Sequence, residues 1–106
     1  MIKRMRRPTH PGELLREEML PNTGTTQVEL AARLGVSRRT VSEIVHERRP
    51  ITPDMAIRLA RAFPNQTADF WLSMQAAVDI WDAEQSRSAD YKRIRPLASR
   101  RSGLMV

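Results

Sequence analysis

Five stretches of the chain repeat apolar residues at three- and four-residue steps, the spacing that lines one face of an α-helix, and none alternates with the two-residue period of a strand. The first carries Leu14, Leu15 and Met19, the second Leu30, Ala31 and Leu34, and the third Val41, Ile44 and Val45. A fourth runs through Met55, Ala56, Leu59, Ala60 and Phe63. The fifth is the broadest: Phe70, Met74, Ala77 and Trp81 share one side, while Trp71, Leu72, Ala76, Val78 and Ile80 spread apolar surface well around the cylinder. The pattern predicts an all-α domain of five helices, without internal repeats.

Polar punctuation sets the boundaries. Thr26, Gln27, Val28 and Glu29 spell a capping box, in which a threonine oxygen and a glutamate carboxylate satisfy amides left unpaired at a helix start. Gly35 follows the last apolar position of that helix, where a left-handed residue is needed. Val36 can plug the corner, and Ser37 caps the next helix. Two short helices about one tight turn make a helix-turn-helix, with Arg38, Arg39, Ser42 and Glu43 on the outer surface of its second helix. Upstream, Thr9 or His10 caps a helix with Pro11 at its first position, closed by Pro21, Asn22 and Gly24. Downstream, Pro50 ends the recognition helix before residue 49, Thr52 and Pro53 open the fourth helix, Pro64 and Asn65 stop it, and Thr67 begins the last. That last helix has more apolar surface than four short neighbours cover, so Phe70, Trp71, Met74, Val78 and Trp81 are expected to join two copies; the alternative is the ordinary core of a five-helix domain.

Composition narrows the chemistry. At 106 residues there is room for one small domain, taken as 9–86, between a basic N-terminal arm over 1–8 and a basic, irregular C-terminal tail over 87–106. The net charge is +6, yet residues 8–86 hold 8 basic and 11 acidic side chains, so the surplus lies in the termini. The arm is read either as lying along DNA or as a solubilising segment; both termini are read as flexible, although Tyr91, Ile94 and Leu97 recur at three-residue steps that suit an interrupted helix or a segment ordering on a partner. Without cysteine there is no disulfide and no thiolate zinc site, and His10 and His46 have no ligand-spaced partner, so neither a metal nor a cofactor is expected. No glycine-rich phosphate loop or forced carboxylate pair suggests an enzyme. No apolar run approaches the roughly 20 residues that span a bilayer, and the reading is a cytoplasmic protein with no membrane or small-molecule partner.

The stretch TQVELAARLGVSRRTVSEIV resembles XRE-type DNA-binding proteins. HPGELLREEML at 10–20, RRPITPDMAIRLARAF at 48–63 and FWLSMQAAVDIW at 70–81 resemble, more narrowly, the HigA family of antitoxins from bacterial toxin–antitoxin modules. The resemblance implies a lambda-repressor-like five-helix domain, a homodimer, a palindromic double-stranded operator in the module's own promoter, and a complex with a HigB-type toxin, an mRNA-cleaving ribonuclease of RelE-like fold. It also implies that Arg38, Arg39, Ser42 and Glu43 face base edges and that Gln27, Ser37 and Thr40 meet phosphates. The chemistry agrees: arginine can donate two parallel bonds to guanine, and glutamate can accept from cytosine N4. Arg48 and Arg49 stand beside the groove as further phosphate contacts or as a solvated loop. Family members often carry Asn-Gly after the recognition helix, where this chain has His46 and Glu47. A basic toxin would meet the acidic body, with Glu13, Glu17 and Glu18 on the first helix and Asp79, Asp82 and Glu84 on the last. Two rival readings remain: a stand-alone repressor with no toxin, and a protein adaptor that never meets DNA.

Overall fold

The computed structural model describes residues 6–98 and is entirely helical over them. The first helix, α1, runs over 11–23 as an α-helical turn Pro11–Leu14, a π-helical turn Leu15–Met19 and a second α-helical turn Leu20–Thr23. Pro21 explains the wide middle. It has no N–H for a bond to Glu17, and its ring would crowd that carbonyl, so the ladder opens by one residue and the amide of Leu20 donates to the carbonyl of Leu15. The proline expected to close the helix is therefore absorbed, and the stop comes at Gly24, with φ 63°.

Three local devices come out as their residues predict. Helix α2, Gln27–Leu34, starts on the complete capping box: Thr26 Oγ1 accepts from the amide of Glu29 at 3.1 Å, and the amide of Thr26 donates to Glu29 Oε1 at 3.0 Å. It ends at Gly35, whose φ of 71° is the left-handed conformation a side chain would strain. Helix α3, Arg38–Val45, starts on Ser37, whose Oγ accepts from the amide of Thr40 at 3.1 Å. Helices α4, Pro53–Ala62, and α5, Ala68–Ser86, start on Thr52 and Thr67 in the same way.

The core gathers Leu15, Leu30, Leu34, Val41, Ile44, Val45, Ala56 and Leu59 around Trp71, which is fully buried and flanked by Phe63 and Phe70 at ring-centroid distances of 6.2 and 5.5 Å. This corrects the expected dimer face. Trp71 and Val78 are 0% and 1% exposed, so their side chains are spent inside the monomer and offer nothing to a second copy. Along α5 they lie on average about 70° around the cylinder from Phe70, Met74 and Trp81, which are exposed or half-buried; the broad stripe has two edges with different environments.

The termini are more ordered than expected. A sixth helix, α6, Ser88–Lys92, stands within the segment read as a flexible tail, and Arg7 at the end of the arm is held by the body. The rest of the arm, 1–5, and the last residues, 99–106, lie outside the described residues.

Candidate DNA-recognition surface

The recognition helix α3 is buttressed from behind by the start of α1. His10 caps α1 through Nδ1, which accepts from the amide of Gly12 at 2.9 Å. Pro11 supplies the first turn, and Gly12 lies so close to α3 that a Cβ there would sit 1.8 Å from the carbonyl oxygen of Ile44. His-Pro-Gly is thus a docking element: cap, rigid turn, and the missing side chain that lets two backbones touch. One turn on, Arg16 donates from Nη1 to the carbonyl of Val45, placing a cation on the C-terminal end of α3, where the helix dipole is negative. His10 is 3% exposed, and burial pushes its pKa down, so it caps as the neutral ring.

With its inner face fixed by Val41, Ile44 and Val45, α3 turns Arg38, Arg39, Ser42 and Glu43 outward. Arg38 is exposed, and the side chain of Arg39 is 84% exposed. Glu43 is different: its Oε2 accepts from Arg39 Nε at 3.3 Å, and its Oε1 from Arg49 Nε and Nη2 at 3.0 and 2.6 Å. Those bonds, Arg49's foremost, hold the Glu43 carboxyl below the usual range. Gln27 is the first residue of α2, half-buried at a helix N-terminus, whose free amides favour an anion. Ser37 and Thr40 have their hydroxyls 2.9 Å apart at the start of α3. Arg48 is exposed on the loop that follows, its amide held by the carbonyl of Glu43 at 2.8 Å.

The exit from α3 keeps the geometry that glycine would serve. Glu47 has φ 62°, left-handed without being glycine, and its carboxylate bonds Arg7 Nη1 at 3.1 Å and Arg16 Nη2 at 3.5 Å. Arg7 also grips Asp82 of α5 through Nε and Nη2, both at 2.8 Å. Behind the same loop, buried Gln75 accepts from the amide of Ile51 at 2.9 Å and donates to Asp79 at 2.9 Å. Sequence reasoning missed this bracket. Nothing in spacing links Arg7 to residues 40 and 75 positions away, and a glutamine on a helix reads as solvated; only the departure at Glu47 pointed to the place. Among the described residues no group of three potential ligands could hold a metal ion, and no helix is long and apolar enough to cross a membrane.

A family model described as Helix-turn-helix matches residues 15–70. Antitoxin HigA-1 of Vibrio cholerae is 41% identical over 97 residues, covering 92% of this chain and 90% of that protein. The chain belongs to the HigA family of helix-turn-helix antitoxins. The HTH-type transcriptional regulator YbaQ of Escherichia coli K12 is 43% identical over 86 residues, which are 81% of this chain and 75% of YbaQ. Among solved structures, a Pseudomonas aeruginosa antitoxin HigA with the higBA promoter superposes with a TM-score of 0.80 at 41% identity, covering 87% of this HigA-family chain and all of that one. The capping box, Gly35 and the buttressed α3 are therefore parts of a known DNA-binding fold family and not of a chance helical hairpin.

Proposed function

We propose that this HigA-family chain is the antitoxin of a toxin–antitoxin module: a cytoplasmic homodimer that binds operator DNA in its own promoter, represses its operon, and binds and neutralises a HigB-type mRNA-cleaving toxin. The observation that carries the DNA half is the cationic outer edge of α3, exposed at Arg38 and Arg39 while its inner edge is clamped by Gly12 and Arg16, in a chain so similar to an antitoxin solved with its promoter. Arg38, Arg39 and Ser42 approach base edges. Gln27, Ser37, Thr40, Arg48 and Arg49 take phosphates on either side and set the register.

A palindromic operator requires two copies about one helical turn, roughly 34 Å, apart. The stripe of Phe70, Met74 and Trp81 on α5, exposed or half-buried, supports that pairing, because it is apolar and none of the three belongs to the buried core. For the toxin, the acidic body offers less than its composition suggests. Asp82 is paired with Arg7, Glu17 with Arg16, and Asp79 accepts a hydrogen bond from Gln75, so Glu13 and Glu18 on α1 and Glu84 on α5 are the expected side chains with neither an ion pair nor a side-chain hydrogen bond among the described residues.

Likeness to YbaQ, named as a transcriptional regulator, favours a second reading, a repressor with no toxin. Coexpression with the neighbouring reading frame separates them. The antitoxin reading requires a stable complex that restores growth and binds the promoter fragment; a promoter-binding protein that captures no basic partner would support the repressor alone.

A further inference from the structure

We infer that Glu43 is a positioning residue of the recognition surface: it aligns Arg39 for a base edge and Arg49 for the phosphate backbone, and does not read a base itself. The inference rests on the DNA-binding reading above and gives α3 a specificity determinant that makes no contact with DNA.

Three donors already converge on one carboxylate. Arg39 Nε lies 3.3 Å from Oε2, and Arg49 Nε and Nη2 lie 3.0 and 2.6 Å from Oε1. These bonds fill three of the carboxylate's roughly four acceptor sites, so a cytosine amino group would have to share Oε2 with Arg39, as a neutral donor beside charged ones. The donor inventory of each guanidinium then assigns what remains. Arg39 spends only Nε, so the edge formed by its two terminal nitrogens stays free, and two parallel donors are what guanine O6 and N7 accept. Arg49 spends Nε and Nη2, which leaves Nη1 as one nitrogen clear of the carboxylate, suited to a single phosphate oxygen. The backbone carries the same tie: the carbonyl of Glu43 accepts from the amide of Arg48 at 2.8 Å, so this one residue holds the loop next to Arg49 as well as its side chain.

Charge gives the arrangement a second effect. An acid on the DNA-facing side repels phosphate and is tolerated only where its arginines find their own partners, so it weakens binding to random sequence more than to the operator. Glu43 carries its charge at neutral pH as any exposed glutamate does, and its bonds to Arg49 and Arg39 hold its carboxyl below the usual range.

The test measures affinity for operator, for operators with single base pairs exchanged, and for random duplex of equal length, across a salt series, for the full-length protein, Glu43→Gln, Arg49→Ala and the double variant. The expected result is that Glu43→Gln loses about tenfold on the operator and gains on random duplex, and that the double variant loses less than the product of the two single losses. A loss confined to one C·G pair per half-site, with unchanged affinity for random duplex and losses that multiply, would show Glu43 reading a base and overturn the proposal. A wild-type protein that did not prefer its operator would remove the DNA-binding reading along with it. Thermal melts of the variants, expected within a few degrees of wild type because Glu43 is not part of the core, exclude an effect through folding.

Discussion

Gly12 and Ile44 stand so close that the Cβ of any other residue at position 12 would lie 1.8 Å from the Ile44 carbonyl oxygen. The obstacle is backbone, which cannot swing away as a side chain would. Gly12→Ala is therefore expected to cost about 1–3 kcal/mol, the range for forcing an extra methyl into packed structure, measured by urea denaturation. Because the displaced element is the recognition helix, operator affinity should fall at temperatures where the variant is still fully folded.

His10 predicts a pH dependence. Its folded pKa is depressed below 6.5 by burial, and the unfolded chain titrates near 6.5, so between the two values the unfolded state binds more protons. The contribution is fully present above pH 6.5 and is lost as pH falls from there through the folded pKa. His10→Asn keeps a capping side chain and removes the titration. Its stability should be flat between pH 7 and about 5, where wild type declines; equal slopes would count against this role.

The two classes of arginine separate on salt and sequence. Arg39→Ala should cost about 1–3 kcal/mol on the operator and relax preference at one position per half-site, whereas Arg48→Ala should weaken all sequences alike and lower the salt slope by about 1. Anisotropy titrations against single-base operator variants distinguish them.

Trp71 and Phe70 are neighbours in sequence with opposite duties. Trp71→Ala empties the centre of the core and should cost about 3–5 kcal/mol. Phe70→Ser forfeits an edge contact worth about 1 kcal/mol, but should turn a dimer into a folded monomer in sedimentation at micromolar concentration.

That pair also shows where sequence reading stops. The helix-turn-helix was legible because its determinants are local: Thr26 and Glu29 are three residues apart, and Gly35 is the one residue there without a Cβ to clash. Periodicity likewise found the apolar side of every long helix. It could not say which side of α5 faces its own chain, because Trp71 and Phe70 differ only in what the fold brings against them. Pro21 read as a stop because the rule assumes a regular ladder, and a π-helical turn evades it. Arg38 and Arg39 were placed on an outer face by spacing alone, but the capture of Glu43 by Arg49 depends on a loop path that no periodicity encodes. The short helix after residue 87 has no buried residue, and the three-residue steps of Tyr91, Ile94 and Leu97 are too weak a pattern to fix its bounds.

The grip of Arg16 on the carbonyl of Val45, beside the close approach of Gly12 to Ile44, ties the orientation of α1 to that of α3. On the antitoxin reading, a partner that moved α1 would be expected to change the affinity for promoter DNA, and thermodynamic linkage would then have the DNA alter that partner's affinity by the same factor. Arg16 would then be the side chain through which the two halves of an operon's feedback loop meet within one protomer.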